Sequence, residues 1–120
     1  MENNQVPEVG TILYSSWGYD QTNIEFYKVV KVSEKSVWIQ ELKNQIVEQV
    51  GFMSEKVVPS DEFRKGGWVK APDGIGQVYD PDYIAPPERK LWSKHGGVRL
   101  SSFQSAWIWD GQSKYASHYA

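Results

Sequence analysis

Apolar and polar residues alternate with a period of two over much of this chain, and nowhere do they repeat with a sustained helical period. The segment from Ile24 to Val32 is the clearest case. Ile24, Phe26, Lys28, Val30 and Val32 fall on one pleat face and Glu25, Tyr27, Val29 and Lys31 on the other, which predicts a strand with one largely apolar and one mixed side. An earlier strand is predicted over 9–17, where β-branched and aromatic residues concentrate. The polar break Ser33–Ser36 separates the second strand from Val37–Leu42, predicting a hairpin. Residues 46–50 read as an extension of that strand past a bend or as a short strand of their own. Residues 52–58 read as another strand, stopped by Pro59, with one helical turn around Ser60–Arg64 capped by Ser60 or Asp61.

From Lys65 to Glu88 the texture changes to glycine and proline. This stretch reads as a long loop or insertion, with a small hairpin around Asp73-Gly74. Residues on either side of Gly96-Gly97 suggest a further hairpin, and Ala106–Trp109 is the last strong apolar run. The expectation is a mostly β fold, a small antiparallel barrel or roll of the SH3-like kind. It has a polar lead-in over 1–8, one domain over 9–111 and a polar tail over 112–120.

Composition sharpens this picture. A chain of 120 residues has room for one core, and its six Trp and seven Tyr exceed what such a core comfortably hides. Some of these rings should therefore lie at the surface, which favours a binding role. Cysteine is absent, which excludes disulfides and thiolate chemistry. With no apolar run long enough for a transmembrane helix and a polar, acidic start unlike a secretory signal, a cytoplasmic setting is expected. The net charge of −2 is uneven: residues 1–63 hold five Lys and ten acids, and residues 64–120 hold eight Lys or Arg and five acids. Neither half has the charge density of a dedicated duplex binder.

Constellations for catalysis are weak. There is no Gly-x-Ser-x-Gly elbow, and both histidines, His95 and His118, fall in poorly anchored places. Asp80-Pro81-Asp82 lacks calcium-loop spacing, and Asp73-Gly74-Ile75-Gly76 lacks the helix and lysine of a phosphate loop. No cofactor, metal or catalytic activity is expected.

The string Val9-Gly-Thr-Ile-Leu-Tyr-Ser-Ser-Trp-Gly-Tyr-Asp-Gln-Thr-Asn-Ile-Glu-Phe-Tyr-Lys-Val-Val resembles the opening of short, mostly uncharacterised proteins of bacteriophages, plasmids and other mobile elements. Trp109-Asp110-Gly111, followed by Tyr115 and a polar ending, resembles their close. The likeness covers residues 9–42 and about 89–119, and the stretch 65–88 departs from it. It implies a setting in mobile DNA and brings no activity with it. In that setting, inhibition of a host defence system is a role that a small binding protein would fit.

Trp17, Tyr19, Asp20, Gln21 and Asn23 form the most distinctive candidate surface, two flat aromatics among directional hydrogen-bonding groups. The same string also has a structural reading, in which Trp17 plugs a barrel end, Gly18 supplies a positive φ and Asp20 or Asn23 cap turns. Trp92, Lys94 and Arg99 form a second candidate, in a basic segment interleaved with aromatics. Trp109 is a third, because Trp107 and Trp109 share a strand face. The expected partner is a protein. Single-stranded RNA or DNA, held by Trp68, Trp92 and nearby cations, is the alternative. Self-association is a further outlet for the charge asymmetry, and no membrane contact is expected.

Overall fold

The computed structural model describes residues 7–18, 22–93, 97–101 and 104–117. Among them are ten strands and no helix: β1 (Ile12–Trp17), β2 (Asn23–Val32), β3 (Ser36–Gly51), β4 (Ser54–Phe63), β5 (Gly67–Lys70), β6 (Gln77–Asp80), β7 (Glu88–Ser93), β8 (Gly97–Ser101), β9 (Gln104–Ile108) and β10 (Lys114–Ser117). Eight strands form one antiparallel sheet in the order β10-β4-β3-β2-β1-β9-β8-β7. A further ladder between β3 and β7 closes β3, β2, β1, β9, β8 and β7 into a ring. Strands β5 and β6 make a separate two-stranded sheet.

Alternation along the first three strands builds two cores. Leu13, Val29, Val37 and Ile39 point into the ring, where they meet Val98 and Ala106. Ile24, Phe26 and Leu42 point outward with Ile12 and Tyr14, and they would face water in a bare ring. Instead β4 and β10 fold back over this outer face, bringing Val57, Phe63 and Ala116 against it. The mixed face of β2 is thus the one that fills the ring, and its apolar face supports a second layer.

A bulge between Val29 and Lys31 interrupts the alternation of β2. Val29 pairs with Ile39 and Lys31 with Trp38, so one residue is skipped and the later positions change face. Without the bulge, Lys31 would point into the ring core beside Val37. The single pleat face expected to run from Ile24 to Val32 is therefore broken after Val29.

Three expectations are corrected. Pro59 does not end its strand, and residues 60–63 are not helical: β4 runs on to Phe63. Pro59 pairs with Asn44 at a point where the ladder shifts register, so its missing donor falls at an irregularity. Leu42 pairs with Phe63, and burying that ring fixes the far end of β4. The Ser60 hydroxyl, expected to cap a helix, accepts from the Glu62 amide within this distorted stretch. The stretch 65–88 does carry the small hairpin expected around Asp73-Gly74, formed by β5 and β6 and tied at its turn by Gly74 N to Ala71 O at 2.9 Å. The tail from 112 contains β10, whose Ala116 is buried.

Beyond Leu42, β3 leaves the ring and pairs only with β4. The two strands project as an arm, and β10 joins β4 at Ser54–Val57. The radius of gyration is accordingly 15.9 Å, against about 13.6 Å for a compact chain of this length.

Phe26 is fully buried and meets Trp109 edge-on at 5.8 Å, so Phe26→Ala should cost about 3–5 kcal/mol in urea unfolding. Ala116→Asp puts a carboxylate into the outer core and should lower the thermal midpoint by several degrees. An unchanged midpoint would instead make residues 114–117 the dispensable tail that their polarity suggests.

Candidate functional site

Three surfaces could contact another molecule: a cleft at the ring mouth, the arm tip and the β5–β6 ribbon. The cleft has a volume of about 270 Å³ and is lined by Tyr27, Gln40, Glu41, Glu88, Leu100 and Gln104 among others. These residues gather because the core-facing positions of β1, β2 and β9 turn polar towards this end. Ser15 follows Leu13, and Glu25 and Tyr27 precede Val29. The Tyr27 hydroxyl donates to Glu25 Oε1 at 2.6 Å, and Gln104 Nε2 donates to Ser15 Oγ at 3.0 Å and to Glu25 at 3.3 Å. Gln40 Nε2 holds the Ala85 carbonyl at 2.9 Å, anchoring the segment after β6 beside the opening.

Carboxylates outnumber cations in the lining of this cleft, where Lys90 lies 3.8 Å from Glu88. Burial, followed by the neighbouring charge of Glu25, pushes the Glu41 carboxyl above the ordinary carboxylate range. Arg64, at 3.4 Å, opposes the shift without cancelling it. The Tyr27 phenol is held far above its usual value, first by burial and then by its bond to Glu25. The cleft therefore offers hydrogen-bond acceptors and resists further negative charge. Among the described residues no group of three or more His, Cys, Asp or Glu is arranged to hold a metal ion.

The arm tip is apolar. Phe52 and Met53 form the two-residue connection between Gly51 and Ser54, which pair across the hairpin. Phe52 is 92% exposed, and Ile46, Val47 and Val50 are also exposed along β3. Met53 has a φ of 58°, where such connections favour Gly or Asn. On the ribbon, Trp68 pairs with Tyr79 across the strands, their rings edge-on at 5.6 Å and both open to solvent.

The candidate residues from sequence do not form one surface. Trp17 is exposed at the end of β1, paired with the half-buried Asn23, on the strand face that also carries Ser15. Tyr19, Asp20 and Gln21 lie outside the described residues, as do Lys94, His95 and His118. The structural reading gains two details. Gly18 has a φ of 133°, which a residue with a Cβ rarely adopts. Beyond the loop, Thr22 exchanges hydrogen bonds with Ser117 of β10 at 2.9 and 3.0 Å. Trp92 is half-buried against the ring core. Trp109 packs on Phe26 and spends its N–H on the Gln112 carbonyl at 2.7 Å, so its polar group is already satisfied. Arg99 is exposed on β8.

Sequence reasoning missed the cleft and the arm tip. The signal for the tip was legible as Gly51-Phe52-Met53-Ser54, an apolar pair where a tight turn wants Asn-Gly. The cleft had none, because Glu25, Glu41 and Gln104 meet only through the ring. Comparison with protein-family models, curated proteins and solved structures finds no match to this chain.

Glu41 gives a test of the cleft. A carboxyl whose folded pKa is raised favours the fold while protonated, and that contribution is lost as pH rises through the folded value. Glu41→Gln should therefore raise the thermal midpoint at neutral pH, and the gain should vanish as pH falls below the ordinary Glu value of about 4.3. A gain undiminished at low pH would mean that ionisation of Glu41 is not its cause.

Proposed function

We propose that this chain is a small non-catalytic binding protein that acts by protein–protein contact through the tip of the β3–β4 arm. Phe52 carries this reading. A large aromatic ring is presented to solvent at the end of a projecting hairpin, next to a non-glycine residue in the left-handed region. Neither feature helps the isolated fold: the ring gains nothing from burial, and the turn carries backbone strain. Both make sense where a partner takes up the ring, since a rigid aromatic anchor filling a pocket often dominates interface energetics.

The surrounding arm supports the same reading. Ile46, Val47 and Val50 add exposed apolar area, and the charges over 43–56 balance as Lys43 and Lys56 against Glu48 and Glu55. A neutral, apolar element suits a protein surface better than a phosphate backbone. None of the six Trp is fully buried, in line with a chain that keeps aromatic surface for contact. The likeness of residues 9–42 and of the closing segment to proteins of phages and other mobile elements supports a cytoplasmic host defence protein as the partner. A rim of aromatics around a small β ring is also how an SH3-like module would recognise its ligand, and Trp17 would then extend the surface at the cleft end.

Phe52→Ser should leave the thermal midpoint within about 2 °C of the unaltered chain, because the exposed ring contributes little to the fold. It should also abolish recovery of a specific protein in affinity capture from bacterial lysate, while Trp17→Ala retains it. Capture lost with Trp17→Ala but kept with Phe52→Ser would move the contact to the Trp17 loop.

A further inference from the structure

The outer face of the ring has two halves. One half, around Phe26 and Leu42, is covered by β4 and β10. On the other, the ladders place Lys31, Trp38 and Arg89 side by side across β2, β3 and β7. Lys31 Nζ lies 4.6 Å from the centre of the Trp38 ring, and the Arg89 guanidinium lies 6.0 Å from it. Lys28 pairs with Gln40 and shares this face, since Gln40 follows Trp38 by two residues. Arg99 does too, since its neighbour Val98 is buried in the ring core. Among the described strand residues on this face of β2, β3, β7 and β8, none is Asp or Glu. Glu25, Glu41 and Glu88 all fall on the inner side, at core-facing positions or in the cleft.

We propose that this uncovered face binds single-stranded nucleic acid, with Lys28, Lys31, Arg89 and Arg99 tracking phosphates and Trp38 receiving a base. The chain is net acidic, so four cations without a carboxylate on one face are a local separation of charge that the overall composition does not require. The bulge in β2 contributes directly by turning Lys31 from the core to the surface beside Trp38. An aromatic ring flanked by cations on an open sheet is the arrangement by which stacking and phosphate contacts combine without sequence preference. A single strand is favoured over a duplex because a duplex keeps its bases stacked, leaving Trp38 nothing to receive. This surface is distinct from the arm. Trp38 lies near the start of β3 and Phe52 just past its end, separated by up to about 45 Å of extended chain.

The test is fluorescence anisotropy with labelled oligo(dT) and oligo(U) across a salt series, using the full chain. Three to four phosphate contacts on a single strand predict affinity falling roughly twenty- to fiftyfold between 50 and 200 mM salt. Lys31→Ala with Arg89→Ala should weaken binding about tenfold or more and flatten the salt slope by about 1.4. Trp38→Leu should weaken it with the slope unchanged. Lys56→Ala, on the arm, and Phe52→Ser should bind as the unaltered chain does. No binding at low salt, equal or tighter binding of duplex DNA, or indifference to Lys31→Ala with Arg89→Ala would each overturn the proposal. Circular dichroism of every variant confirms that a loss of binding is not a loss of fold.

Discussion

Phe26 and Val29 stand three residues apart on β2, yet they pack into different cores, and the rest of the molecule depends on that division. Val29 fills the ring with Leu13, Val37 and Ile39, whereas Phe26 needs cover from outside. A ring of six strands has a small interior. The apolar surface it cannot enclose is buried by carrying β3 and β4 beyond the ring and folding β4 and β10 back over it. The arm is a by-product of this solution. Once β3 runs sixteen residues, its far end has no ring neighbours and pairs with β4 alone, which in turn carries β10.

Parity governs what each surface offers. In a pleated strand, a shift of one residue exchanges the two faces, so the bulge at Val29–Lys31 does more than bend β2. It keeps a lysine out of the ring core and places it against Trp38 on the outside. The same rule in the other direction brings Glu25, Tyr27 and Glu41 to the ring mouth, where a core-facing position meets solvent. Burial there works against the ionised Glu41 carboxylate, and Arg64 at 3.4 Å offsets part of that cost.

The aromatic residues divide along the same lines. Trp92 and Trp109 flank the two cores, and the indole N–H of Trp109 is satisfied within the chain. Trp17, Trp68 and Trp107 remain exposed. An excess of aromatics is visible in the composition, but which rings are free for contact is a matter of which strand neighbour covers them. Trp107 and Trp109 show this well. They share a face by spacing, and only Trp109 lies within reach of Phe26.

Alternation together with turn residues determined that this protein is built from antiparallel strands, and located the β2–β3 hairpin, the β7–β8 hairpin and the small hairpin around Asp73-Gly74. These are local properties: a period of two and a turn-forming break need no knowledge of distant residues. The same reasoning misread Pro59, Ser60 and Asp61, because their local preference for a stop and a cap yields to burial of Phe63 opposite Leu42. The candidate residues Trp17, Asn23, Trp92, Arg99 and Trp109 were legible as chemistry and not as a surface. Ladder register assigned Trp92 and Trp109 to packing and Arg99 to the outer face. Ring closure between β3 and β7, the second core under β4 and β10, the cleft and the row Lys31–Trp38–Arg89 were decided only by tertiary structure. Each depends on pairing between segments far apart in sequence and on bulges that reset which face a residue occupies, and neither is encoded in the spacing of residues along one strand.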